Sequence, residues 1–580
     1  MDQNAPGIRV SVILIPDRIL EEADAHRWSV EALEGIRAQT MASWELIAVT
    51  DSDAPPPPLP PQTGHATTLA EAARLARGEC VALIATADTW LAEKLTQQLR
   101  ILAQHPQAAM VIGRPLMWRS WDDSAPDAAD QDHHCELGGE VDGVVEPPVL
   151  FAQALAGQYQ TAEVSDALVR RAPFLHAVER VPETGDPIVV ARAALALIQL
   201  EEKIFFSSQT WARIRISDEQ RDARIRRART AQHVAVLKGL AGPVLAQGDP
   251  DLVSMISYEL DKYDYSRIAR LAEATGPDLR VSSVEYVGEG LSNRAYRLND
   301  SIIFRLPKTD AAERELTREV RLLLRLQPLL RTPIPRPVIV GQAHRTPDTR
   351  LRRILRRSFR WLRPSSRKSG LAAGAARAYV GYPEIRGNFL YPEVIAADKD
   401  LRSRIAKSLG QFLTEIHSID LLVVAGIKLP KRSVCRDLAF VDAALSGRLS
   451  AEQSRSVRDL LDQVERDGRG AERDVLLHGD LGWDHVLVDP SGSLAGIIDF
   501  GGACVGEAAQ DFKELCRKYG RTFLEEVLEH YALDRRPGFS RRIRFLMLCE
   551  AASALASSGS TGEIQRGVQL LQDTISALER

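Results

Sequence analysis

The stretch LHGDLGWDHVLVDPSGSLAGIIDFGGACVGEAAQDF, from Leu477 to Phe512, decides how this chain is read. An apolar strand runs into a turn that carries Asp480, and a candidate metal ligand, His485, follows five residues later. A second apolar run then ends at Asp499, just before Phe500 and Gly501. Phosphoryl transfer needs these parts: a carboxylate to orient and deprotonate an attacking hydroxyl, and ligands that hold a divalent ion on nucleotide phosphates. Either piece alone reads as a polar turn or as a strand followed by a bend. Both pieces, in this order and at this separation, point to phosphoryl transfer.

The bulk of the sequence sets the frame. A chain of 580 residues is too long for one core, so two large domains or three smaller ones are expected. Apolar residues at 45% and charged residues at 26% suit a globular protein, and a net charge of -4 gives no reason to expect nucleic acid as a partner. The start, MDQNAPGIRVSVILIP, has an apolar run the length of a buried strand, so no signal peptide is expected. No apolar run reaches the roughly 18 residues of a membrane span. The six cysteines are scattered without a CxxC pair, as expected of free thiols in a cytoplasmic protein.

Two textures divide the chain. From Val10 to about Arg229, the runs VSVILI, ELIAV and CVALIA alternate with helical patterns such as RWSVEALEGIRAQ and LAEKLTQQLRILAQ. Strands buried on both faces and joined by crossover helices predict a parallel α/β sheet. DAPPPPLPP (Asp53 to Pro61) predicts a stiff surface loop, and Ser120 to Val145, acidic and without period, a long one. DHHC (Asp132 to Cys135) lacks ligand spacing and reads as loop rather than metal site. From Tyr263 a short helix leads into VSSVEYVGEGLSNRAYRLNDSIIFRLPK, three strands of a meander, and beyond Leu401 nearly everything outside the motif strands is helical. A small sheet lobe before a helical lobe would place an active site between the two.

HxD, a metal ligand and DFG, together with this lobe order, resemble the aminoglycoside phosphotransferase family, small-molecule relatives of protein kinases, over residues 263 to 580. The resemblance implies ATP or GTP as phosphoryl donor, Mg²⁺ as cofactor and a small-molecule hydroxyl as acceptor. It assigns Asp480 as catalytic base, and Asp499 with His485 as metal ligands. His478 and Asp511 become supports of the catalytic loop. Most of the family has Asn where this chain has His485, and an imidazole ligand would tolerate Mn²⁺ well. In the sheet lobe, Gly288 and Gly290 of VGEGLSNRAY would admit phosphate close to the backbone, although an ordinary hairpin turn has the same look. Arg305 takes the strand position of the phosphate-binding cation, with Lys308 as second choice, and Glu319 is its partner on the helix AAERELTREVRLLLRL. PIPRPV and YVGYPEIRGNFL resemble the return strand and the hinge, and His417 reads as a packed or capping residue.

Arg345 to Lys368 is foreign to that pattern: nine Arg and one Lys against Asp348, interleaved with apolar residues at helical spacing. A basic amphipathic insertion here is either a plain solvated segment, a contact for an anionic membrane or acidic partner, or a clamp for an acidic substrate.

RVSVILIPDR, IRAQTMASWELIAVTDSD and LAEAARLARGECVALIATADTW resemble a family 2 glycosyltransferase over about residues 8 to 215. That resemblance implies a Rossmann-like sheet, with Asp51 and Asp53 near the base and ribose of a nucleotide-sugar and Asp186 at the acceptor-activating position. The metal-chelating Asp-x-Asp is missing: Ala85 and Ala87 stand at its acidic places and only Asp88 is left. Without those carboxylates nothing obvious neutralises a leaving diphosphate, so the site is read as degenerate.

The expected fold class is therefore α/β plus α+β. A GT-A-type domain spans 1–245, a linker 246–262, and a bilobal protein-kinase-like domain 263–580, with a basic insertion at 343–378. The expected function is ATP- or GTP-dependent phosphorylation of a small, sugar-containing molecule, with an N-terminal recognition domain. The alternatives are a bifunctional glycosyltransferase and kinase, or a pseudokinase scaffold at the cell envelope.

Overall fold

The computed structural model describes residues 8–17, 22–50, 59–118, 132–134, 142–155, 163–215, 223–275, 279–344, 376–432, 438–445, 448–467, 473–533, 538–557 and 568–576. Asp51, Asp53, Cys135 and the basic stretch 345–368 lie outside the described residues. The chain divides into two compact units, Met1–Asp264 and Tyr265–Arg580.

The first unit is built on the apolar runs seen in the sequence. Val10–Ile15, Trp44–Val49 and Cys80–Ala85 are parallel neighbours, with Gly64–Ala66 added in parallel at one edge. Alternate residues feed two cores, Ile13, Ile15, Val81 and Leu83 on one face and Val10, Val12, Leu14 and Ile84 on the other. That is why these strands show no polar alternation. The sheet is mixed rather than parallel throughout. Leu168–Arg170 runs antiparallel to both its neighbours, Cys80–Ala85 and Met110–Ile112, and Gly143–Val145 runs antiparallel to Ile204–Phe206. A second sheet of four strands contains His133–His134, read from sequence as loop but paired with Leu116–Trp118. The 246–262 segment is not a linker. Its Pro250–Lys262 helix buries Leu252 and Ile256, one turn apart, in the core of the first unit, and the boundary falls after Asp264.

The second unit opens with a five-stranded antiparallel sheet ordered Val284–Glu289, Asn293–Leu298, Ile302–Pro307, Ala376–Pro383 and Ile339–His344. Asn299 and Asp300, both at positive φ, make the tight turn before Ile302, and the Asn299 side chain accepts from Ser282 and Ser283 backbone N–H groups. The Asp310–Leu326 helix, capped by Thr309, buries Leu316, Glu319, Val320 and Leu323. The helices Lys399–His417, Lys513–Glu529 and Phe539–Ser557 enclose a separate large core that includes Phe412, Phe512, Phe523 and Phe545. Two small ribbons cross this helical part: Asp474–Leu477 with Cys504–Glu507, and Asn388–Phe389 with Val486–Val488 and Leu494–Ile497. The first ribbon anchors both ends of the motif stretch to the core. Among the described residues no helix is long and apolar enough to cross a membrane.

Candidate active site

The loop after Leu477 is held from behind by a buried carboxylate. Asp511 accepts the backbone N–H of His478 and of Gly479, each at 2.8 Å, and also faces His417 Nε2 at 3.1 Å. His417 in turn sits 3.0 Å from the Tyr531 hydroxyl. Burial alone would raise the pKa of Asp511, but the hydrogen bonds and the nearby imidazoles hold it below the ordinary carboxylate value. His417 is thus a packed residue with a task that spacing did not reveal, since it ties the Lys399–His417 helix to the loop. Gly479 has φ +83°, and a Cβ there would lie 2.2 Å from the Gly502 carbonyl oxygen, so the two motif turns touch through backbone. Arg432 closes the other side by donating to the Gly479 carbonyl at 2.7 Å.

His478 is fully buried; its Nε2–H donates to the Ile498 carbonyl at 3.1 Å and its Nδ1 accepts weakly from Asp480 N–H at 3.4 Å. Burial lowers its pKa, so the ring stays neutral in its place between the two motifs. Asp480, beyond it, leaves its carboxylate 62% exposed.

His485 lies in a short 3-10 turn, Trp483–His485. Its Nδ1 is 2.6 Å from the Asp480 carbonyl oxygen, and because a carbonyl only accepts, that nitrogen carries the proton. Nε2 is left facing Asp499 Oδ2 at 3.7 Å and Asp484 Oδ2 at 3.8 Å. Asp499 has left-handed backbone (φ 62°), uncommon for a non-glycine residue, which turns its carboxylate out of the end of the strand. Oδ1 of Asp499 meets Arg305 Nη2 at 3.2 Å, while Arg305 Nη1 donates to Glu319 Oε1 at 2.9 Å. Burial opposes the charge on Arg305, but Glu319, Tyr382 and Asp499 raise its pKa. Partial burial pushes Asp499 up, but Arg305 and the two imidazoles bring it below the usual carboxylate value.

The structure therefore brings Asp480, His485, Asp499, Arg305 and Glu319 together, with His478 and Asp511 behind them. Gly288 and Gly290 lie farther along the sheet at an open hairpin tip, where an added Cβ would meet nothing within 4 Å. Lys308 points along that hairpin to Glu289, 3.9 Å away. Asp484, beside His485 Nε2, was not singled out from the sequence.

Among the described residues no group of three or more His, Cys, Asp or Glu is gathered as a ready metal cage. The donors that do converge, one imidazole Nε2 with its tautomer set and one carboxylate oxygen, suit an ion that takes its remaining ligands from phosphates and water. The residues fit such an ion. A recess of about 950 Å³, lined by Arg331, Gln411, Glu415 and His530 among others, includes none of these groups, so it is not the site.

The first unit's candidates are otherwise engaged. Asp88 is buried, its oxygens taken by Ser165 Oγ at 2.6 Å and Arg215 N–H at 3.1 Å, and burial pushes its pKa up to about 7. Asp186 caps the Pro187–Glu201 helix through Ile188 N–H at 3.0 Å and accepts from Gln232 at 2.9 Å.

Residues 283–544 match the model of the phosphotransferase enzyme family. Among solved structures, the chain is similar to the GDP and kanamycin complex of APH(2")-IIia, with 22% identity, 53% of this chain and 98% of that one covered, and a TM-score of 0.41. The GDP complex of wild-type aminoglycoside 2'-phosphotransferase-IIIa gives 22% identity, 54% and 99% coverage and a TM-score of 0.42. The macrolide 2'-phosphotransferase MphH from Brachybacterium faecium gives 18%, 53% and 97%, and 0.38.

Proposed function

We infer that the C-terminal unit, an enzyme of the phosphotransferase family over residues 283–544, moves the terminal phosphoryl group of ATP or GTP to a hydroxyl of a small, sugar-containing molecule. The observation that carries this reading is the placement of Asp480 one short turn from the His485–Asp499 pair. An acceptor oxygen held at Asp480 would then lie beside the phosphates held at that pair. Asp480 accepts the hydroxyl's hydrogen bond, aims the oxygen at phosphorus and takes its proton as the new O–P bond forms and the bond to the leaving diphosphate breaks. Arg305, kept charged by Glu319, offers positive charge to the donor phosphates. A divalent ion, Mg²⁺ or Mn²⁺, held by Asp499 and His485, would neutralise phosphate charge.

For the first unit we favour a glycosyltransferase-like recognition domain over a working transferase. Asp88 supports this: a buried carboxyl with its pKa near neutrality and both oxygens occupied is a poor partner for a metal diphosphate. Asp186, fixed as a helix cap, is similarly committed.

The test is nucleotide binding by the full chain with and without Mg²⁺ or Mn²⁺, followed by phosphate transfer to sugar-containing acceptors. Metal-dependent binding of ATP or GTP with transfer is expected; no nucleotide binding with either ion would sink the reading. Nucleotide-sugar donors with Mn²⁺ should release no nucleoside diphosphate, and release would overturn the account of the first unit.

A further inference from the structure

Three aromatic rings meet solvent at the mouth of the catalytic turn. Phe389 and Tyr391 stand two residues apart on one extended segment, so their side chains share a face, while Leu390 between them is fully buried. Leu390 N–H donates to the Val486 carbonyl at 3.1 Å and Tyr519 O–H donates to the Leu390 carbonyl at 2.6 Å, which fixes the segment against the catalytic turn. Trp483, three residues after Asp480, completes the group: its ring lies 4.8 Å from Tyr391 at a tilt of 33°, and Phe389 stands nearly edge-on to both. Phe389 and Tyr391 are 39% and 36% exposed, although burying such rings is worth more than burying most side chains. Asp484, next to Trp483, is half-exposed, as is Asp480.

We propose that Trp483, Tyr391 and Phe389 form the acceptor platform of this site, on which a pyranose ring of the acceptor stacks with its reacting hydroxyl at Asp480. The proposal rests on the phosphotransferase reading and names the substrate class of that same site. The C–H groups on one face of a pyranose are slightly positive and meet the negative face of an indole or phenol ring, while its hydroxyls point outward. Asp480 and Asp484, on either side of Trp483 in the chain, supply acceptors for those hydroxyls. The groups expected to serve the nucleotide's phosphates, Arg305, Asp499 and His485, stand outside the ring cluster. A ring of the acceptor, rather than of the nucleotide, is therefore the occupant.

The experiment uses the full chain, a panel of methyl hexopyranosides, and acyclic hexitols as controls that carry hydroxyls without a ring face. Saturation-transfer NMR should show pyranoside ring protons in contact with the protein and hexitols without contact. For a phosphorylated pyranoside, Trp483→Ala should raise KM by about tenfold or more with a smaller effect on kcat, and Trp483→Phe should restore most of the loss. ATP affinity should be unchanged in both variants, which also reports that they are folded. Equal binding of hexitols, no pyranoside binding, an unchanged KM in Trp483→Ala, or a loss of ATP affinity in its place would each overturn the platform. Failure of the phosphotransferase reading looks different, because the wild-type protein would then bind no nucleotide, or bind it and transfer phosphate to no acceptor.

Discussion

His485 Nδ1 donates to the carbonyl oxygen of Asp480 across 2.6 Å, so the candidate base residue sets the tautomer of the candidate metal ligand through its backbone. The proton on Nδ1 leaves Nε2 to face Asp499.

His485→Asn should therefore retain activity, since a side-chain amide can also donate to the carbonyl and offer oxygen to an ion. Its preference should move from Mn²⁺ toward Mg²⁺, the harder ion. Rates of phosphate transfer across a series of Mg²⁺ and Mn²⁺ concentrations measure this. An unaltered ratio of the two ions' half-saturating concentrations would show that His485 is not a ligand.

Arg305 binds Glu319 through one nitrogen and Asp499 through another, a fork that a Lys ammonium cannot reproduce. Arg305→Lys should keep the charge yet weaken nucleotide binding about tenfold or more. Glu319→Gln, which keeps an acceptor oxygen but removes a counter-charge of the buried guanidinium, should lower stability by about 3 kcal/mol as breaking buried pairs does. Isothermal titration with nucleotide and chemical unfolding would read the two effects separately.

Gly479 touches the second motif turn through backbone, with no room for a Cβ. Gly479→Ala should cost about 1–2 kcal/mol from the left-handed conformation alone, with more from the clash with Gly502. Phosphate transfer should fall far more than nucleotide affinity, because the displaced loop carries Asp480.

The pKa of His478 is lowered by burial, so the unfolded chain takes up this proton near pH 6.5 while the folded chain does not until a lower pH. The neutral ring's contribution to stability is complete above about pH 6.5 and is lost as pH falls from there toward the folded value. His233, also lowered by burial, adds a slope of the same sign in the first unit. Melting temperature should drop between pH 7 and pH 5, and His478→Gln should flatten that drop without removing it. An unchanged profile in the variant would mean that His478 is not buried neutral.

Much of this molecule was legible where a signal is local in sequence. VSVILI and CVALIA read as strands because both their faces are covered, and the two motif turns could be placed because their chemistry lies within 36 residues, Leu477 to Phe512. What escaped depends on distant partners. Leu168–Arg170 has only three residues and shows no direction until it pairs. Leu252 and Ile256 are too few to mark a helix as core among polar neighbours. His417 gains meaning only from Asp511, and the aromatic platform exists only once Asn388–Phe389 pairs with Val486–Val488. Asp88 and Asp186 are plain acids in the sequence, but burial and helix capping give them structural work that sequence does not display.

The most direct test of the central claim compares Asp480→Asn with Asp499→Ala by paired measurements of metal-dependent nucleotide affinity and single-turnover phosphate transfer. Asp499→Ala should abolish metal-dependent nucleotide binding. Asp480→Asn should leave binding nearly intact and slow transfer by about 10²-fold or more, as loss of a positioned base does. Transfer that is indifferent to Asp480→Asn, or nucleotide binding that survives Asp499→Ala with its metal dependence intact, would contradict the account.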